Sequence, residues 1–111
     1  MKKQEFYRIY KNYRKNLISF KTDHGYIYYI TTETGDKIAL AIARTEYNEW
    51  DITHVDSGLL ATIQTFKTKK DALQQTQDNS YITALARVSK NIQTKECTQL
   101  LNDYKKQIQT I

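Results

Sequence analysis

The sequence contains no proline, three glycines and one cysteine among its 111 residues. A single cysteine, Cys97, excludes an internal disulfide framework and most zinc sites built from thiolates. The glycines match neither the dinucleotide-binding pattern G-x-G-x-x-G nor the P-loop pattern, which excludes both classes of nucleotide site. No apolar run approaches the ~20 residues of a membrane span, and the first residues lack a secretion signal. We therefore expect a single soluble, cytoplasmic domain over residues 1–111, with no cofactor and no membrane partner.

The charge of the chain is concentrated in its first residues. The formal net charge is +5, from 17 lysines and arginines and 12 acidic residues. Residues 1–21 contain seven of the basic residues and one acid, whereas the rest of the chain contains ten basic and eleven acidic residues. A local excess of basic residues is typical of surfaces that contact nucleic-acid phosphates. The composition therefore indicates a basic N-terminal segment on a nearly neutral body.

Apolar residues in this basic segment recur at helical spacing: Phe6, Ile9, Tyr10, Tyr13 and Leu17. The spacing predicts an amphipathic helix, Gln4–Ser19. Basic side chains occupy its opposite side and the short segment before it, and we predict that six of them contact phosphates: Lys2, Lys3, Arg8, Lys11, Arg14 and Lys15. A basic helix face that is simply solvated is the alternative interpretation.

The middle of the chain favours strands and its end favours helices. After a predicted loop at residues 22–25, four strands are predicted at 26–31, 37–44, 50–55 and 59–65. In the second strand Ile38, Leu40 and Ile42 alternate with alanines, which predicts that a helix packs against one face. Helix caps are predicted at Thr68 and Thr94, with another helix over residues 81–91. The predicted fold is α+β, with an N-terminal helix, a four-strand antiparallel meander and two or three C-terminal helices.

A second candidate surface lies between residues 45 and 56, which contain four acids and no lysine or arginine. Tyrosine and tryptophan are common anchors at protein interfaces. The alternative function is therefore a protein-binding inhibitor or adaptor, of the anti-CRISPR or anti-restriction type, that contacts a host protein through Tyr47, Glu49, Trp50 and Asp51. These aromatic rings fill the core in the competing interpretation. The apolar stripe from Cys97 to Ile108 would also suit a homodimer.

Catalytic and metal-binding chemistry has little support in the sequence. His54 and Asp56 are two residues apart on a predicted strand, so their side chains are expected on one face. Such a pair can orient a base or bind a metal. No nucleophile and no recognised metal spacing accompanies it, which favours a cross-strand salt link or an exposed pair. We therefore predict that the protein is not an enzyme and holds no metal.

Part of the sequence resembles a known DNA-binding family. The resemblance runs from Trp50-Asp51-Ile52-Thr53-His54 through Ser57-Gly58 to Phe66-Lys67-Thr68-Lys69-Lys70-Asp71-Ala72-Leu73. It is similar to the strand-to-helix segment of the arm-type DNA-binding domains of phage and transposon integrases, where a basic three-stranded sheet binds DNA. Here the corresponding strands carry Glu46, Glu49, Asp51 and Asp56. The whole chain resembles small uncharacterised proteins of phages and plasmids of Gram-positive bacteria. The leading prediction is a non-enzymatic, nucleic-acid-binding accessory protein of a mobile genetic element.

Overall fold

Strands occupy the first half of the chain and helices the second. The structure, a computed structural model, describes residues 2–109. Its elements are β1 (Gln4–Asn12), β2 (Leu17–Thr31), β3 (Lys37–Arg44), β4 (Trp50–His54), α1 (Lys69–Thr76), α2 (Asn79–Ser89) and α3 (Ile92–Gln109). The strands pair in chain order, each antiparallel to its neighbour. The predicted α+β class and the four-strand antiparallel sheet before three helices are confirmed.

The predicted helix Gln4–Ser19 is wrong, because this segment forms β1 and the start of β2. The two strands pair from Gln4 with Gly25 to Asn12 with Leu17, and residues 13–16 form the turn between them. Asn16 adopts the left-handed backbone conformation with φ of 50°, which asparagine tolerates better than most residues. At its base, both faces of this hairpin meet other parts of the protein, through Phe6 on one face and Tyr7 on the other. The apolar residues of the hairpin therefore do not alternate strictly, and the intervals between them equal those expected for a helix.

The long strand β2 changes partner at Gly25. Residues 17–25 pair with β1, and residues 26–31 pair with β3. At Gly25 an added Cβ would lie 2.7 Å from the Ile42 carbonyl oxygen and 2.8 Å from the Ala43 Cβ, so only glycine allows the approach. β1 thereby covers the alanine-bearing face of β3, where buried Phe6 packs against Ala41 and Ala43.

The opposite face of β3 carries the main hydrophobic core. Ile38, Leu40 and Ile42 are buried there and pack in one cluster with Ala72 of α1 and Leu85 of α2. The predicted division of β3 into a face of large residues under helices and a face of small residues is confirmed. The backbone N–H of Asp71 donates to the Thr68 hydroxyl at 3.1 Å, which confirms the predicted cap of α1.

Three further local predictions are wrong. Residues 22–25 lie within β2, because pairing with β1 continues through them. Residues 59–65 form no strand; they touch β4 through isolated contacts such as Thr53 with Leu60. Thr94 is buried inside α3, and the Asn91 side chain instead accepts the Gln93 N–H at the start of that helix.

Candidate nucleic-acid interface

The β1–β2 hairpin ends in an exposed basic extension, residues 10–21, which we call the arm. Phe20 is buried at its base, and Lys11 is half-buried, while every other residue of the arm is exposed. Ile9, just before the arm, makes the last backbone hydrogen bond from β1 to the body by donating to the Gly58 carbonyl at 3.0 Å. Beyond this point the two strands are held mainly by each other.

Four basic side chains and no acidic ones belong to the arm: Lys11, Arg14, Lys15 and Lys21. Within residues 2–109 none of the four forms a salt bridge. Arg14 and Lys15 lie in the turn beside Tyr13, whose side chain is 84% exposed. Lys21 places its ammonium 4.7 Å from the centre of the Tyr10 ring, which shows that the cation is displayed over an aromatic face. Within residues 2–109 the arm therefore presents four cations that form no salt bridge, although Lys21 lines a cleft that also contains Glu46 and Glu49.

Arg8 differs from the other predicted phosphate contacts because its guanidinium faces the interior. Its Nε donates to Asp23 at 2.7 Å, and Nη1 and Nη2 donate to the two Asp51 carboxylate oxygens at 2.7 and 2.9 Å. The Thr53 hydroxyl accepts a further bond at 3.3 Å. Burial alone lowers the Arg8 pKa, but bonding to Asp51 and Asp23 outweighs it and holds that pKa above its ordinary value. Arg8 is thus a cross-link between β1 and β4, with little capacity left for a phosphate.

The other predicted basic residues fall into two groups. Lys2 and Lys3 are exposed just before β1, roughly 30 Å along the chain direction from Asn12 and the turn. Lys11, Arg14 and Lys15 lie together at the far end of the hairpin. The structure therefore brings together three of the six predicted residues.

The last turns of α3 add basic residues that the sequence did not single out. Tyr104 packs against the Tyr7 and Phe20 rings, with centroids 5.9 and 5.5 Å apart. This contact places the Lys105 ammonium 5.5 Å from the centre of the Tyr7 ring. Only the tertiary packing of α3 against the hairpin brings this lysine beside the base of the arm.

The four residues of the predicted protein-binding surface do not share one face. Tyr47 is 80% exposed in the β3–β4 turn, and Glu49 accepts a hydrogen bond from the Thr65 hydroxyl. Trp50 points to the helix side of the sheet, where its ring centroid lies 6.4 Å from that of Tyr26. Asp51 points the other way and is held by Arg8. Strand alternation separates the last two residues, which a linear reading of the sequence places together.

Tyr47 and Glu49 instead line a cleft of about 460 Å³ between the β3–β4 turn and the arm. Lys21, from β2, and Arg44, from the end of β3, also line it. The cleft therefore has charges of both signs. Its basic residues are Arg8, Lys21 and Arg44, and its acidic residues are Asp23, Glu46, Glu49 and Asp51.

His54 is buried and hydrogen-bonded to two serines rather than to Asp56. Its Nδ1 lies 2.7 Å from the Ser57 hydroxyl, and its Nε2 lies 3.3 Å from the Ser89 hydroxyl. Burial lowers the His54 pKa, and the negative charge of Asp56 opposes that effect. The predicted salt link does not form, because β4 ends at His54 and Asp56 turns to solvent. The Nε2 contact joins β4 to Ser89 of α2, and the Nδ1 contact joins β4 to Ser57 in the turn that follows the strand.

The remaining candidates for chemistry are few in the part of the chain that the structure describes. Cys97 is buried on α3, and within residues 2–109 no cluster of three or more metal-ligating side chains occurs. None of the helices in that range is long and apolar enough to cross a membrane.

Comparisons with known proteins return no match among protein-family models, curated proteins or solved structures. The resemblance over residues 50–73 and the mobile-element origin therefore stay predictions from the sequence.

Proposed function

We propose that the protein is a non-enzymatic nucleic-acid-binding protein and that the arm makes the principal contacts with phosphates. The observation that carries this proposal is the set of four cations on the arm, which has no acid of its own and no salt bridge to an acid of the body within residues 2–109. Cations that are not paired within the protein are the ones that can displace counterions from a phosphate backbone.

The acids nearest to the arm in the interior do not cancel its charge. Asp51 and Asp23 are both bound by the Arg8 guanidinium, so their negative charge is largely compensated locally. Charges on the protein surface are screened over about 8 Å at physiological salt. The field at the turn is therefore governed by Arg14 and Lys15 together with their neighbours on the arm.

A nucleic-acid partner is favoured over a host protein because of how the two candidate surfaces are arranged. The basic residues Arg14 and Lys15 lie in one exposed turn, and Lys11 lies on β1 two residues before it. Of the aromatic and acidic set, Asp51 is buried and Trp50 is packed against the sheet–helix core. An interface hot spot requires its anchors on one contiguous surface, and this set lacks that property.

Fluorescence anisotropy with labelled oligonucleotides tests the proposal. Arg14→Glu/Lys15→Glu reverses two charges in the turn, and Lys2→Glu/Lys3→Glu makes the same change in net charge at the other end of β1. We expect the turn variant to bind at least ~10-fold more weakly than the wild type, while the matched control weakens less than ~3-fold, since phosphate contacts are local at moderate salt.

Two results would contradict the proposal. Absence of binding at about 50 mM salt, where phosphate contacts are strong, would refute a nucleic-acid function. Equal weakening in the two variants would show that net charge, and not the arm, determines affinity. Circular dichroism of each variant establishes that the fold is retained.

A further inference from the structure

The cations of the arm lie on both of its faces as well as at its tip. Lys11 shares a face with Tyr7 and Ile9, on the side where α3 packs. Lys21 lies on the opposite face, over the Tyr10 ring. Arg14 and Lys15 occupy the turn. A single strand lying along one face would leave the cation of the other face without a phosphate, whereas a groove with phosphates on both walls would satisfy both.

The base of the arm repeats this two-sided arrangement. Lys105 lies on the α3 side, 5.5 Å from the Tyr7 ring centre. On the other side, Arg44 lines the cleft together with Lys21. Each face of the hairpin therefore has one cation on the arm and a second one closer to the body.

The dimensions of the arm match one groove of B-form DNA. Three residues of each strand, 10–12 and 17–19, extend beyond the contacts with the body, which corresponds to a length of about 10 Å. The major groove is about 12 Å wide and 8.5 Å deep and accepts a two-stranded ribbon. The minor groove, about 6 Å wide, is too narrow for two strands with their side chains. The major groove of an RNA duplex is deep, narrow and closed to protein side chains.

The tip carries side chains that can contact base edges at this depth. Arg14 and Asn16 are exposed in the turn, and Asn12 is exposed where β1 ends. Arginine pairs with the O6 and N7 atoms of guanine, and asparagine pairs with the N6 and N7 atoms of adenine. Tyr13 adds an exposed ring for apolar contact with thymine methyl groups.

We propose that the ligand of the arm is double-stranded B-form DNA and that the arm enters its major groove, with phosphates of the two strands contacted from its two faces. This inference rests on the nucleic-acid function proposed above, and it adds the class of nucleic acid and the mode of contact.

Anisotropy titrations of the full chain with four ligands test the inference: a DNA duplex of about two helical turns, the RNA duplex of the same sequence, and each DNA strand alone. We expect the DNA duplex to bind at least ~10-fold more tightly than the other three, because only its groove accepts the arm. Arg14→Glu/Lys15→Glu should remove most of this preference, while Lys2→Glu/Lys3→Glu should keep it.

Competition with groove ligands identifies the site of contact. Methyl green, which occupies the major groove, should displace the protein from the duplex, and netropsin, which occupies an A·T-rich minor groove, should not. Tighter binding to a single strand or to the RNA duplex, or displacement by netropsin alone, would overturn this inference and leave the nucleic-acid function standing. Failure to bind any of the four ligands would overturn the proposed function itself.

Discussion

Replacing Arg8 with methionine is the sharpest test of the interior that supports the arm. Methionine keeps much of the length of the side chain but removes the charge and every hydrogen bond of the guanidinium. The Arg8 side chain is 14% exposed and that of Asp51 is 9% exposed, so the substitution leaves a buried carboxylate without its partner. Breaking a buried ion pair in this way costs about 3–5 kcal/mol. We expect the lower end of that range, about 3 kcal/mol, for Arg8→Met, because the cluster borders the cleft beside the arm.

The second carboxylate on the same guanidinium provides the matched control. Asp23 is 40% exposed, and pairs with that degree of exposure contribute about 0–1 kcal/mol. Asp23→Asn should therefore lower the free energy of unfolding by less than about 1 kcal/mol. In the double variant Arg8→Met/Asp51→Val both buried charges are gone, and we expect at least half of the stability that Arg8→Met removes to be recovered.

Urea unfolding followed by the fluorescence of Trp50, the only tryptophan of the chain, measures these differences. With a slope of about 1.5–2 kcal/mol per molar urea, a destabilisation of about 3 kcal/mol lowers the midpoint by about 1.5–2 M. A destabilisation below about 1 kcal/mol for Arg8→Met, or equal effects of Arg8→Met and Asp23→Asn, would refute the reasoning. Arg8 would then again be available as a phosphate contact.

Three further predictions concern His54, Gly25, where β2 changes its pairing partner, and the half-buried Tyr81. Burial lowers the His54 pKa below 6.5, so the unfolded chain takes up a proton at higher pH and stability falls as the pH drops through about 6.5. His54→Gln should flatten the dependence of the urea midpoint on pH between about 8 and 5.5, and a slope equal to that of the wild type would contradict this. Gly25→Ala should lower the free energy of unfolding in urea by about 1–3 kcal/mol, because the alanine Cβ would overlap atoms of β3. An unchanged stability would show that β2 and β3 can move apart at this position. Tyr81 donates to the Ala61 carbonyl at 2.8 Å, and burial raises its pKa to about 12; Tyr81→Phe should cost about 0.5–1.5 kcal/mol and remove one late-ionising tyrosine from an ultraviolet titration, which an unchanged titration would contradict.

The parts of the fold that were predicted correctly have a local signature. In β3, Ile38, Leu40 and Ile42 alternate with alanines because one face meets helices and the other meets β1. The cap of α1 requires only Thr68 and the backbone N–H of Asp71. Strict alternation along one strand and a cap formed within four residues are both patterns that a single sequence displays.

The N-terminal hairpin lacks such a signature because of its tertiary surroundings. Tyr7 packs against α3, and Phe6, the preceding residue in the chain, packs against β3. The base of β1 is covered on both sides and does not alternate, and exposed apolar residues of the arm, such as Tyr13, complete a spacing that resembles a helix. The turn at residues 13–16 follows Asn12 and ends at Asn16, and asparagine is a residue type that favours turns.

The candidate site also has one part that the sequence predicts and another that only the tertiary structure shows. The excess of basic residues in the first 21 positions could be counted directly, and Lys11, Arg14 and Lys15 lie together as a consequence of the turn. The pairing of Arg8 with Asp51 joins residues 43 positions apart, and no local pattern reveals it. Because Arg8 and Asp51 bind each other in the interior, Arg8 is not an exposed phosphate contact and Asp51 is not part of an exposed protein-binding surface.

The salt dependence of DNA affinity tests the central claim, that the arm supplies the phosphate contacts, most directly. Four cations bound to phosphates of duplex DNA give a slope of log K against log salt of about −3.6, and removing one of them reduces its magnitude by about 0.9. Neutralising two cations of the turn, in Arg14→Gln/Lys15→Gln, should reduce the magnitude to about 1.8, while Lys2→Gln/Lys3→Gln should leave it at the wild-type value. Identical slopes for the two double variants would contradict the account.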